Sequence, residues 1–152
     1  MWQLADEAYY LVGRIWQGTL TAPASRLAEV VEVTQFVRPQ PAQPNRRFWR
    51  WTVIQQGNNE VHTGRCDSAL KGQRQAELAL ATLDTDCDNE TLGRAAANSS
   101  STIRRLAARH RRCPAGLLVR LIQDPESGVA QAAADNPSTP AYALALYQLA
   151  MG

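Results

Sequence analysis

The sequence predicts an α+β chain in which a small antiparallel sheet with one packed helix runs into a short α-helical repeat solenoid. Three observations predict it. The first 65 or so residues are β-branched and aromatic runs punctuated by Pro and Gly turn signals. Residues 68–83 then place small and apolar side chains at helical spacing. The remainder repeats itself every 26 residues, as Ile103 and Val129 illustrate. The expected division is a β-rich module with its closing helix over residues 1–83 and a helical-repeat module over residues 84–152.

Bulk properties narrow the classes. At 152 residues with 45% hydrophobic and 20% charged composition, the chain can bury a core. Its net charge of +2 is too small to dictate a polyanion partner, so any basic surface must come from local clustering. No apolar run approaches a membrane span, and the start MWQLADEAYYLVGRIW lacks the basic-then-apolar order of a secretory leader. Cys66, Cys87 and Cys113 are an odd, widely spaced set, read as reduced thiols of a cytoplasmic protein.

In chain order, Ala8 to Leu20 reads as strand, ending near Gly18-Thr19. Leu27 to Val37 is taken as strand because Val31, Val33 and Val37 dominate it, although RLAEVVEV also suits a helix start. RPQPAQPN (38–45) has three prolines in eight residues and is expected to be a loop. Phe48 to Gln55 is a strand, Gly57-Asn58-Asn59 a tight turn, and Glu60 to Arg65 the returning strand. Ser68 is the expected N-cap of a helix reaching Leu83, whose stripe of Gly72, Ala76, Ala79, Leu80 and Leu83 suits packing on bulky sheet aromatics. Period-2 alternation sends Trp49, Trp51 and Val53 to that helix-covered face, with Phe48, Arg50, Thr52 and Ile54 on the other.

The repeat aligns without gaps over units 77–102, 103–128 and 129–152. Ala132-Ala133 falls on Leu106-Ala107, Pro140 on Pro114, and Leu144 on Leu118 and Leu92. Each unit reads as a short apolar helix, a polar break, and a second helix with Pro in its first turn and Thr139 as N-cap in the last copy. One unit cannot cover its own apolar face, so neighbours must stack. DPESGVAQAAADNPSTPAYALALYQLA, and more weakly IRRLAARHRRCPAGLLVRLIQ, resemble the leucine-rich repeat variant family over roughly residues 89–152. The resemblance implies a right-handed solenoid of alternating short helices used for binding rather than catalysis. That family includes a member with an iron–sulfur cluster on a cysteine-rich N-terminal segment. No such cysteines occur here, and no cluster ligands are carried over.

The sharpest local feature is electrostatic. Arg104, Arg105, Arg109, Arg111, Arg112 and Arg120 lie between Ile103 and Arg120 with no acid among them, and Arg94 is the repeat equivalent of Arg120. If the first helix reaches residue 112, Arg105, Arg109 and Arg112 share a stripe. Guanidinium forks bind carboxylates or phosphates bidentately, so the expected function is a non-catalytic adaptor taking an acidic protein partner. Asp84, Asp86, Asp88 and Glu90 could pair part of this band internally. The alternative is a nucleic-acid-binding protein in which RRFWRW, with Arg46, Arg47, Phe48 and Arg50 as secondary contacts, adds base stacking.

His62, Cys66, His110 and Cys113 have spacings that can chelate zinc, but the paired spacings of strong zinc motifs are missing, and Cys87, Cys113 and Thr139 are one repeat position. No metal or cofactor is expected. The acids at 84–90 lack the central Gly and final Glu of a calcium loop and read as a polar turn. With no phosphate loop, nucleophile elbow or His-Glu-x-x-His, no enzyme is expected. Tyr147, Leu149 and Met151 leave an apolar end that favours a homodimer.

Overall fold

The structure is a computed structural model that describes the backbone of residues 2–4, 15–18, 28–40 and 43–47, and both backbone and side chains of residues 48–55 and 57–152. The chain divides into two compact units, residues 1–80 and 81–152.

The first unit is a five-stranded antiparallel sheet in chain order: β1 (Trp2–Leu4), β2 (Ile15–Gly18), β3 (Ala28–Gln40), β4 (Gln43–Gln55) and β5 (Val61–Cys66). The expected strand over Ala8 to Leu20 corresponds to β2, with residues 8–14 and 19–20 outside the described residues. The expected loop at 38–45 is a correction. β3 runs on to Gln40, β4 begins at Gln43, and Arg38 pairs with Arg46. Two long strands paired along most of their length outweigh the local proline signal. Pro39, which cannot donate to a ladder, sits at the register shift between Arg38 and Gln40, where sheets admit proline.

The turn between β4 and β5 forms for the expected reason: Gly57 (φ +96°) and Asn59 (φ 54°) take left-handed conformations, and Gln55 N donates to Glu60 O at 2.9 Å. Trp49, Trp51 and Val53 stand opposite Cys66, Gly64 and His62 in the ladder, so these six share a face. Helix α1 (Ala69–Leu83) starts with Lys71 N bonding Ser68 Oγ at 3.3 Å, and buries Gly72, Ala76, Ala79 and Leu80. From it Gln75 accepts a bond from the Trp51 indole at 3.0 Å, which ties this helix to the tryptophan face.

The second unit is helical: α2 (Asn89–Ala96), α3 (Ser101–Arg109), α4 (Ala115–Leu121), α5 (Ser127–Ala134) and α6 (Ala141–Met151). α2, α4 and α6 begin one sequence period apart, as do α3 and α5, so the 26-residue repeat is a repeat of structure. Equivalent positions fill the core: Leu92 with Leu118, Ile103 with Val129, and Ala107 with Ala133. Each helix is too short to be stable in isolation, so this shared burial holds them.

The helix starts differ in detail from expectation. Asp88 caps α2 by accepting Thr91 N at 2.7 Å, and its equivalents Pro114 and Pro140 stand at the N-cap itself, so α4 and α6 begin one residue later than expected. Thr139 is therefore not the cap. Its hydroxyl donates backward to Ala133 O, because the residue before a proline is held extended and its side chain faces the preceding helix.

Candidate interaction surface

The surface is built on a hydrogen-bonded turn that recurs at Asp84, His110 and Asn136. In each unit this residue's carbonyl accepts from the amide three residues on: Cys87 (3.0 Å), Cys113 (2.9 Å) and Thr139 (3.0 Å). Its side chain accepts from the amide two residues on: Asp86 (3.0 Å), Arg112 (3.1 Å) and Ser138 (2.9 Å). The later units add a rung to the unit before. His110 Nε2 donates to Asp84 O at 2.8 Å, while Asn136 Nδ2 donates to His110 O at 3.0 Å and Ala108 O at 2.7 Å. Because Nδ1 of His110 accepts the Arg112 amide, the ring carries its proton on Nε2. Three different residue types fill one role, so sequence reasoning named His110 and Asp84 for other chemistry and did not assign any of the three this role. Their common spacing of 26 is the signal that could have found them.

This turn decides where the arginines go. α3 stops at Arg109, so the expected stripe of Arg105, Arg109 and Arg112 is corrected: Arg105 and Arg109 lie one helical turn apart on α3, and Arg111 and Arg112 belong to the turn. His110 ends the helix because both its ring nitrogens and its carbonyl are committed to the ladder. Arg94 and Arg120 come from the last turns of α2 and α4, where a cation complements the helix dipole, and not from the helix that carries Arg105.

Arg104 is a second correction. Its Nε and Nη2 grip both oxygens of Asp124 at 2.7 and 3.0 Å, and its Nη1 donates to Asn98 O (2.9 Å) and Ser99 O (3.1 Å). The guanidinium thus brackets the turns on either side of its unit and is not presented to a partner. The Arg104 hydrogen bonds hold the Asp124 carboxyl below the usual carboxylate range, and Asp124 pushes Arg104 further up against the opposing effect of burial. Arg112 pairs with Asp86 at 3.6 Å, but both side chains are exposed and the pair is weak. Arg94, Arg105, Arg109, Arg111 and Arg120 are exposed. Gly128 floors two adjoining depressions between α3 and α5: one of about 360 Å³ edged by Arg109, Gln131 and Asp135, and one of about 100 Å³ edged by Arg105 and Glu126.

The RRFWRW strand is a core strand. Trp51 is 0% exposed, its indole lies over Gly64, and a Cβ there would come within 2.6 Å of indole Cε2. Phe48 is half-buried with the Arg65 guanidinium 5.0 Å from its ring centroid, and Arg50 is half-buried. The side chains of Arg46 and Arg47 lie outside the described residues.

The candidate metal ligands are not brought together. His62 and Cys66 share a face of β5 but stand four residues apart in extended backbone, about 13 Å at the usual rise. His110 is committed to the ladder. Cys113 is buried, and burial pushes its thiol up to about 11, away from the thiolate a metal needs. Burial is likewise the main cause of the raised Cys66 and Cys87 thiols. Among the described residues no group of three or more His, Cys, Asp and Glu side chains is placed to hold a metal ion. Of the acids at 84–90, Asp84 serves the turn and Asp88 the α2 cap.

No family model matches the chain, and neither does any curated protein or solved structure. Among the described residues no helix is long and apolar enough to cross a membrane.

Proposed function

We propose that this chain is a non-catalytic binding module whose helical unit takes an acidic protein partner. The observation that carries the reading is the exposed pair Arg105 and Arg109, one turn apart on α3 and followed by Arg111 on a turn held by the His110 and Asn136 rungs. Two guanidinium groups at that spacing match carboxylates one turn apart on a partner helix, and each can bind bidentately. A rigid support matters because side chains on a braced turn lose less freedom on binding.

A protein fits this surface better than a nucleic acid. Glu126 and Asp135 edge the same depressions and would repel a phosphate backbone, whereas a protein can set a basic group against each. The buried Trp51 is no stacking platform. The resemblance to leucine-rich repeat variant units supports a binding role in the same sense.

Fluorescence anisotropy with a labelled Glu-rich helical peptide and a labelled oligonucleotide, each over a salt series, tests the reading. We expect saturable peptide binding that weakens about tenfold or more in Arg105→Ala/Arg109→Ala. Oligonucleotide binding with a steep salt dependence lost in that variant would replace the reading with the nucleic-acid one. Binding of neither probe would end it.

A further inference from the structure

Of the three rung residues Asp84, His110 and Asn136, His110 is the one whose side-chain type changes charge near neutral pH. Its ring is buried, 9% exposed, and both nitrogens are used: Nε2 donates to Asp84 O at 2.8 Å and Nδ1 accepts from Arg112 N at 3.1 Å. An imidazole does both only when uncharged, because the second proton goes on Nδ1. Placed there, it sets N–H against the Arg112 N–H, removes that amide's acceptor and leaves a buried donor without a partner. Among the described residues, the charges on the stacked turns do not compensate it. Arg109 ends α3, and Arg111 and Arg112 follow on the same turn, all of them cationic. On the preceding turn Asp84 is reached through Nε2, and its carboxylate already takes Asp86 N at 3.0 Å, while Asp88 caps α2. Asp86 is exposed and pairs with Arg112. On the following turn Asp135 accepts from Gln131 at 2.8 Å. The Cys87 and Cys113 thiols, raised by burial, bring no charge in this range.

We propose that His110 is a proton switch built into the repeat: uptake of a second proton on its ring opens the turn over residues 110–113 and loosens the rungs that meet there. The ring must leave Arg112 N, and its movement disturbs the bond to Asp84 O on one side and the His110 carbonyl that Asn136 grips on the other. The opened turn carries Arg111, so acid reshapes the end of the basic surface, whatever that surface binds. Asn136 is the unswitched version of the same device. It donates to the preceding unit and accepts an amide two residues on, with no group that titrates. The turn closes on the uncharged ring, so its contribution is complete above the imidazole range and is lost as pH falls through it. With a free imidazole at about 6.5, moving from about pH 7.5 to about pH 5.5 eases opening by about tenfold at most.

Amide hydrogen exchange of the full chain, read by NMR at about pH 7.5 and about pH 5.5, tests this directly. The protection factor of the Arg112 amide, which corrects for the intrinsic pH dependence of exchange, should fall several-fold and up to about tenfold in the wild type. His110→Asn should keep the rung, as Asn136 does, and hold its Arg112 protection within about twofold over the same interval. Urea unfolding followed by helical circular dichroism should show the same contrast in midpoints. Both chains retain His62, so the difference between them belongs to His110. A wild-type Arg112 amide equally protected at both pH values overturns the proposal without recourse to any variant. An equal loss of protection in wild type and His110→Asn also overturns it.

Discussion

Replacing Asn136 by alanine should cost the helical unit more than any exposed substitution in it. Asn136 is buried and makes three hydrogen bonds: two donated to the carbonyls of Ala108 and His110, at 2.7 and 3.0 Å, and one accepted from Ser138 N at 2.9 Å. A net contribution of about 0.5–1.5 kcal/mol per bond sums to about 1.5–4.5 kcal/mol. The carbonyls left behind keep partial compensation, since His110 O still accepts Cys113 N, which places the expected loss near the middle, about 3 kcal/mol. Asn136→Asp should be at least as damaging near neutral pH, because it removes both donors and sets a charge against two carbonyls. Asn136→His should recover part of the loss, since His110 plays the same role one unit earlier. Urea unfolding followed by helical circular dichroism would read these as shifts in midpoint at constant slope. A loss below about 0.5 kcal/mol for Asn136→Ala would refute the claim that the rungs hold the units together.

Three further outcomes are expected. Gly64→Ala drives a methyl into the Trp51 indole, which Gln75 holds from the other side, so we expect a loss of about 1–3 kcal/mol and a changed tryptophan emission spectrum. Acid should weaken the second unit through Asp124. Its folded carboxyl lies below its unfolded value, so the Arg104 bracket contributes fully above the unfolded value and is lost as pH falls through the folded one. Urea midpoints measured down the acid range should show a smaller dependence in Asp124→Asn than in wild type. At the alkaline end Cys113 is raised from 9.0 to about 11, so its contribution is present below about 9 and is lost as pH rises to about 11. Cys113→Ser should flatten that limb, and thiol-labelling rates in the folded chain should be slow across it.

Much of the architecture could be read from local chemistry. The 26-residue period was visible because Pro114 and Pro140, Leu92 and Leu118, and Ile103 and Val129 recur in number and kind, and helix starts follow from such spacing. The β4–β5 hairpin was legible because Gly57, Asn58 and Asn59 are residues that accept positive φ readily, and Gly57 and Asn59 adopt it. The proline-rich segment misled because strand pairing between β3 and β4 is a long-range gain that no local propensity reports. The arginine run misled in a similar way. Six charges in sequence order looked like one band, but Arg104 meets Asp124 twenty residues away and α3 ends at Arg109.

By itself, then, the sequence determined the β4–β5 hairpin, the 26-residue repeat that sets helix against equivalent helix, and the absence of charge from α6. Tertiary structure alone decided which arginines stay exposed, that Trp51 is covered by Gln75 and lies on Gly64, and that His110 and Asn136 reach back one unit. Helix and turn formation depend on neighbours within a few residues, whose identities the sequence states outright. A hydrogen bond or burial depends on groups brought together across tens of residues, and residues as different as Asp84, His110 and Asn136 can fill one geometric role.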